Sequence, residues 1–322
     1  MSAAPRAMTL SSPAKINLFL EVLRRRPDGY HTLSTLFQEI SLSDGLRARV
    51  NGTGTMTLLT DSLGLKTDGS NLVLRAAHSF KERFPQAPGI DFILQKRIPI
   101  GAGLGGGSSN AAKTLQACWK MTPFPSSFQG GGEKHLFPLA KTLGADVPFF
   151  LRGGLASAGG IGERLNFISP RPPRSYHFVL VFPKIFSSTP EAYRALHFPL
   201  TKRRSRLRLT RALTDGAPAT LWAPWLFNRL EEAVLPRLKP VGVVKKALIQ
   251  AGCLNALMSG SGSSVFGVVE SAAHGRRVWA ALPREAWDQW LVSSVSGHGK
   301  ITSSFTKAGH HGNHGNSGFT PG

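Results

Sequence analysis

Pro99-Ile100-Gly101-Ala102-Gly103-Leu104-Gly105-Gly106-Gly107-Ser108-Ser109-Asn110 is the stretch on which the reading of this chain turns. Its five glycines let backbone N–H groups turn inward and approach a ligand closely. The residues that follow predict a helix from about Ser108 to Met121, with Ser or Asn near its start as caps. A helix N-terminus adds free donors and the positive end of a dipole. Loop and helix together predict a phosphate-cradling anion site. Gly101, Gly103 and Gly106 also satisfy G-x-G-x-x-G, but a dinucleotide fold needs a strand ending in an acid about twenty residues on. The chain has the loop Pro123–Gly132 there. No Gly-Lys-Ser/Thr is present, which excludes a P-loop, and neither His-Arg-Asp nor Asp-Phe-Gly occurs, which excludes a protein kinase. A structural glycine turn is the plainer reading, and a costly one without a ligand.

Upstream of the loop, Ile90–Ile98 reads as a strand closed by Pro99. Lys15–Leu23 alternates Ile16, Leu18 and Leu20 against Asn17 and Glu21, the pattern of a half-buried strand. Pro27-Asp28-Gly29 is a turn signal. Leu36–Ile40, Leu46–Val50 and Thr55–Leu59 are predicted as short strands divided at Asp44-Gly45 and Asn51-Gly52, and Leu72–Phe84 has helical spacing. Downstream, 122–134 reads as a loop and Lys134–Leu143 as a short helix ended by Gly144. Tyr176–Phe182 and Ser264–Val269 read as strands, and 225–238 and 241–251 as helices. Thr189-Pro190-Glu191 predicts a helix start with Thr189 at the N-cap. Strands and helices mix without strict alternation, so the expected class is α+β. The Pro-rich stretch Ser169–Arg174 is the expected boundary between domains at 1–168 and 169–296.

The chain has 322 residues, long enough for a substantial core in one or two domains. Hydrophobic residues make up 41%, which places it among globular proteins. The longest apolar run, Phe178–Phe182, is too short to cross a membrane, and residues 1–12 carry no apolar core of a secretory signal. Cys118 and Cys253 are the two cysteines, which predicts free thiols and a cytoplasmic location. Thirty-nine Lys and Arg against 18 Asp and Glu give a formal charge of +21, which permits a nucleic-acid partner without identifying one. The excess gathers in Arg24–Arg26 and in Lys202–Arg211. Residues 297–322, rich in Gly, Ser, Asn and His, are expected to form a disordered tail.

Six stretches, in order, resemble one family. Ser12–Leu18, Pro99–Ala112 and Met258–Phe266 look like the three motifs of the GHMP small-molecule kinases. Arg26-Pro27-Asp28-Gly29-Tyr30-His31 with Thr35-Leu36-Phe37, Leu143–Phe150, and Ser188–Tyr193 narrow the likeness to the branch acting on a cytidyl-diphospho substrate. The resemblance spans about Ser12 to Trp290 and implies a two-domain α+β fold with its active site in the interdomain cleft. It implies ATP and Mg2+, phosphorylation of a tertiary hydroxyl, Asp146 as catalytic base and Lys15 as catalytic lysine. Asn17, Phe37 and Thr189 match substrate positions, Tyr30 and Tyr193 the aromatic pair around the cytosine, and His31 the donor to its edge. Pro99, Gly101, Gly103, Leu104, Gly105, Gly106, Gly107, Ser108 and Ser109 match the ATP phosphate loop, and Asn71 and Lys96 positions near the adenine. Ser108 and Ser109 are candidate magnesium ligands beside the phosphates themselves. No membrane partner and no specific nucleic acid is expected. The chain departs from the family at 126–134, at Pro138, in Lys202–Arg211 and after Ser296.

The residue chemistry runs parallel. Phosphoryl transfer needs positioning, charge stabilisation and a base near the acceptor hydroxyl. Lys15 and Asn17, two apart on a strand, point the same way. Two aromatics around a planar base recognise it by stacking. Singly, Asp146 reads as a helix cap, Lys15 as a solvated lysine, Tyr30 as packing and His31 as a turn residue. Two rival readings stay open: a kinase of homoserine or phosphomevalonate, and a basic nucleic-acid-binding protein on a related fold. The Tyr30, His31 and Tyr193 set argues against the first; joint retention of Lys15, Asp146 and the loop argues against the second.

Overall fold

A computed structural model describes residues 6–125, 128, 132–197, 204–283 and 285–296. The expected tail at 297–322, most of the 126–131 loop, and Lys202 and Arg203 lie outside the described residues. The frame is a pair of long antiparallel strands, β1 (Ala7–Arg25) and β2 (His31–Val50), paired from Arg25 opposite His31 to Ala7 opposite Arg49. The Pro27-Asp28-Gly29 turn joins them. There the Asp28 carboxylate accepts the Tyr30 N–H at 3.1 Å and pairs with Arg26 at 2.7 Å. The break expected at Asp44-Gly45 does not occur, and the two predicted strands are one. An Asp forms a turn when its carboxylate bonds its own backbone. Asp44 instead accepts the N–H groups of Arg97 and Ile98, at 2.7 and 2.8 Å, so the chain runs on. A register shift opposite Pro13/Ala14 absorbs the bend nearby.

Strand β3 (Met56–Thr60), helix α1 (Leu72–Arg83) and strand β4 (Ile90–Gln95) make a parallel crossover at one edge of this sheet. Helices α2 (Gly106–Met121), α3 (Gly132–Leu143) and α4 (Val147–Arg152) join α1 over one face. Small residues of α2, Ala111, Ala112 and Cys118, let it sit close against Phe80 and Phe92. Strands β5 (Leu155–Gly159) and β6 (Arg164–Ile168) extend the sheet along the other half of β2. The sheet has seven strands, completed by β8 (Phe227–Asn228) from later in the chain, in the order β3-β4-β2-β1-β8 with β5 and β6 off that path.

Between Ile168 and His177 the chain leaves this sheet for a second, wholly antiparallel one of order β11-β7-β10-β9. Its strands are β7 (His177–Phe182), β9 (Asn255–Met258), β10 (Val265–Val269) and β11 (Asp288–Ser293). Between β7 and β9 lie α5 (Thr189–Arg194), α6 (Leu207–Thr214), α7 (Ala219–Trp222), β8 (Phe227–Asn228), α8 (Glu231–Val234) and α9 (Lys239–Gln250). Helix α10 (Ala272–Ala281) precedes β11. The helix expected over 225–238 is cut down to α8. Asn228 enters a strand beside β1, and its amide donates to the Met258 and Gly260 carbonyls at 2.8 and 2.7 Å. Ile16, Phe19 and Ile40 share one buried core with Phe178, Trp222 and Phe266, which welds the two sheets. The α+β class is therefore as expected. Among the described residues no helix is long and apolar enough to cross a membrane.

Candidate active site

Where the two sheets meet, their loops surround a cavity of ≈ 1160 Å³. Lys15 reaches it from β1, whose alternation puts Lys15 and Asn17 on the same face. The ammonium is nearly buried and donates to Asn17 Oδ1 at 2.7 Å and to the Gly103 carbonyl at 3.2 Å. It stands 3.6 Å from Asp146 Oδ2 and lies over the Phe37 ring. Asn17 is fixed in turn by donating to Thr35 Oγ1 at 2.9 Å. Asp146 occupies the N-cap position of α4, yet its carboxylate makes no capping bond. The capping reading is thereby replaced: the side chain faces Lys15.

The glycine loop forms the opposite wall. Helix α2 starts at Gly106, two residues earlier than predicted, and its N-cap is Gly105 at φ 70° with no side-chain capping bond. The capping Ser or Asn expected there is absent, so the first-turn N–H groups stay open toward the cavity. Gly103, at φ 76°, sits where a Cβ would strike the Ser259 carbonyl. Ser259 Oγ also donates to the Gly103 carbonyl, and the Ser264 N–H to that of Ala102, so the third motif clamps the loop. Pro99, Gly101, Gly103, Leu104, Gly105, Gly106, Gly107 and Ser108 line the cavity. Ser109 does not: it is fully buried on the inner face of α2, because helical rotation carries it away from the wall.

At one end of the cavity lie Asn71 and Lys96. Asn71 caps α1 through the Val73 N–H at 2.9 Å and donates to the Lys66 carbonyl at 2.6 Å. Lys96 pairs with Asp44 at 2.5 Å. At the other end, the His31 and Tyr193 rings stack with centroids 5.1 Å apart. Tyr30 stands at the rim, 61% exposed. Burial, assisted by the Arg25 charge, pushes the His31 pKa down, which keeps the imidazole neutral. Burial and then the Asp146 charge push the Tyr193 hydroxyl up. Thr189 is not an N-cap, since that place is taken by Ser188; its hydroxyl lies 2.7 Å from Ser261 Oγ. Sequence reasoning passed over Thr35, Asp44, Asn110, Arg25, Arg194 and Ser261 as site residues. Thr35 was findable, two residues from Phe37 on one strand face. Arg25 and Arg194 line the substrate end beside His31 and Tyr193, and among the described residues neither has an acidic partner.

The site can hold an anion on the loop and a planar ring at the stacked end, with an ammonium and a carboxylate between them. Known proteins resemble this chain over most of its length. Residues 71–154 match the GHMP kinases N terminal domain, and 217–289 the GHMP kinases C terminal domain. A 4-diphosphocytidyl-2-C-methyl-D-erythritol kinase of Deinococcus radiodurans is 40% identical over 88% of this chain and 91% of its own. One of Pelotomaculum thermopropionicum is 40% identical over 89% and 97%. A crystal structure of a 4-(cytidine 5'-diphospho)-2C-methyl-D-erythritol kinase matches with TM-score 0.73 at 35% identity, over 90% of this chain and all of that one. The homoserine kinase of Cytophaga hutchinsonii, at 18% identity and TM-score 0.71, shares the fold.

Proposed function

The chain belongs to the 4-diphosphocytidyl-2-C-methyl-D-erythritol kinases of the GHMP kinase family, and from that membership we infer its own reaction: transfer of the ATP γ-phosphoryl group to the 2-hydroxyl of 4-diphosphocytidyl-2-C-methyl-D-erythritol, a step of non-mevalonate isoprenoid precursor synthesis. The observation that carries it is the Lys15–Asp146 pair, 3.6 Å apart, beside an uncapped helix start.

The triphosphate rests on the N–H groups of Gly105–Ser108, where helix dipole and free donors favour negative charge. The cytosine sits among Tyr30, His31 and Tyr193, with neutral His31 donating to its edge. Asn17, Phe37 and Thr189 line the path of the acceptor chain, and Asn71 and Lys96 the nucleoside end. Asp146 takes the proton of the 2-hydroxyl as that oxygen bonds the γ-phosphorus and the bond to the leaving ADP oxygen breaks. Lys15 faces Asp146 and stabilises charge on the transferred group. Its bonds to Asn17 and Gly103 hold the ammonium in place before substrate arrives.

The donor set suits a magnesium ion carried by the nucleotide. Among the described residues no three His, Cys, Asp or Glu side chains gather as a cage, and this wall offers the Asp146 carboxylate and Ser108 hydroxyl. The ion, when bound, neutralises phosphate charge. Residues 1–168 and 169–296 are the two flanking domains, a division supported by the change of sheet between Ile168 and His177. The reaction takes place in the cytoplasm, in keeping with two free, buried cysteines.

One assay decides among acceptors. Purified protein is incubated with Mg-ATP and, in parallel, the cytidyl-diphospho acceptor, homoserine and phosphomevalonate, then again as Asp146→Asn. Turnover of the first acceptor alone, lost in the variant, is expected. No turnover of it, or full activity in the variant, overturns the assignment.

A further inference from the structure

Asp44 lies on β2, outside every motif, and its side chain is wholly buried behind the nucleotide end of the cavity. Its two oxygens divide their work. Oδ1 accepts the Arg97 and Ile98 N–H groups at 2.7 and 2.8 Å, which ties the end of β4 into the frame. Oδ2 accepts Lys96 Nζ at 2.5 Å and Asn110 Nδ2 at 3.1 Å. Both of those side chains line the cavity. The ammonium is thereby held against the first turn of α2, where a Cβ on Gly106 would stand 3.2 Å from Nζ. Asn110 is buried, and the bond from its Nδ2 leaves Oδ1 as an acceptor with no partner.

We propose that Asp44 is a positioning residue for the nucleotide: it never touches ATP, but it fixes Lys96 Nζ as a donor in the wall that receives a nucleoside triphosphate. The proposal rests on the kinase reading. A lysine with four rotatable bonds, left unpaired, samples many positions, and fixing it in advance removes that entropic cost from binding.

The division of labour makes Asp44→Asn informative. Its Oδ1 still serves the two N–H groups, while the amide NH2 replacing Oδ2 turns a donor toward two donors. Binding of a non-hydrolysable ATP analogue with Mg2+ is measured by calorimetry for wild type, Asp44→Asn, Lys96→Met and the double variant, with melting curves alongside. Each single change is expected to weaken binding about tenfold, the worth of one charged hydrogen bond. The double variant should lie within about twofold of Lys96→Met alone, because Asp44 acts through that lysine. In turnover, Asp44→Asn should raise KM for ATP and leave KM for the acceptor in place. Wild-type affinity in Asp44→Asn, losses that multiply in the double variant, or equal rises in both KM values would overturn the proposal. Should Asp44→Asn fail to fold, wild-type affinity in Lys96→Met overturns it equally. Wild-type protein that binds the analogue but phosphorylates no acceptor defeats the proposed reaction and leaves this comparison intact; protein that binds no analogue defeats both.

Discussion

His31 and Tyr193 stack ring on ring across the cavity, 5.1 Å between centroids and 23° between planes, though one opens β2 and the other lies in α5. The contact joins the two halves of the chain at the end where a planar base would bind. Burial and Arg25 lower the His31 pKa below its ordinary 6.5, so the folded protein takes up a proton there less readily than the unfolded chain. Acceptor KM should therefore stay flat from pH 8 down to about 6.5 and rise only below that, once imidazolium forms. The same shift makes stability fall with pH below 6.5, the unfolded value, because the unfolded state binds the extra proton first. Acceptor KM measured across pH 5.5–8 at fixed ATP checks this; a rise beginning above pH 7 contradicts it. Tyr193→Ala should raise the acceptor KM about three- to tenfold, the worth of one aromatic pair, with Tyr193→Phe near wild type.

Lys15 is anchored by Asn17 and Gly103 and faces Asp146, so its loss removes a preorganised charge rather than a mobile one. Lys15→Met is expected to lower kcat by about 10²-fold or more, with a much smaller change in KM for either substrate. Steady-state kinetics with both substrates varied will show whether kcat carries the loss. A change confined to KM would make Lys15 a binding residue only.

Glu21 is completely buried on β1 and meets the Arg229 guanidinium at 2.7 and 2.8 Å through both oxygens. Glu21 Oε2 also accepts the Arg204 N–H at 2.9 Å, which ties that residue to the sheet. Arg229→Met strands a buried carboxylate and should cost about 3–5 kcal/mol, whereas the Glu21→Met/Arg229→Met pair should recover much of that. Denaturant titration of the two variants beside wild type measures it. Equal losses in both would mean the pair contributes net attraction.

What was legible in the sequence was chemistry carried by consecutive residues. The glycine loop, the Lys15/Asn17 alternation and the Pro27-Asp28-Gly29 turn are local, and local geometry follows from local residue types. Asp44 was misread for the same reason: Asp-Gly reads as a turn unless one knows that Arg97 and Ile98 arrive to claim its carboxylate. Glu21 and Arg229 lie 208 residues apart, and the two-residue β8 has no periodicity to detect. Ser109 shows the limit within a motif, since a start two residues earlier turns the hydroxyls that follow by a little over half a turn. Arg25 and Arg194 stayed hidden because an exposed arginine has no pattern until its neighbours are known.

The two cysteines give a readout of how the nucleotide wall opens. Cys118 lies fully buried on α2, and Cys253 is buried against Gly267; burial pushes both thiols up to about 12. At pH 8 neither carries appreciable thiolate, and neither is within reach of a bulky disulfide reagent. No thiol should react quickly in the native protein, and two should react on unfolding, matching the two cysteines of the chain. Slow native labelling then reports opening of the structure around each thiol. Because α2 begins at the open N–H groups that receive the phosphates, ATP should slow labelling at Cys118 through stabilisation of that helix. Cys253, in the second sheet's core, should be slowed less. Labelling of the Cys118→Ala and Cys253→Ala variants with and without ATP separates the two sites. Equal protection of both would mean that the chain opens as one unit.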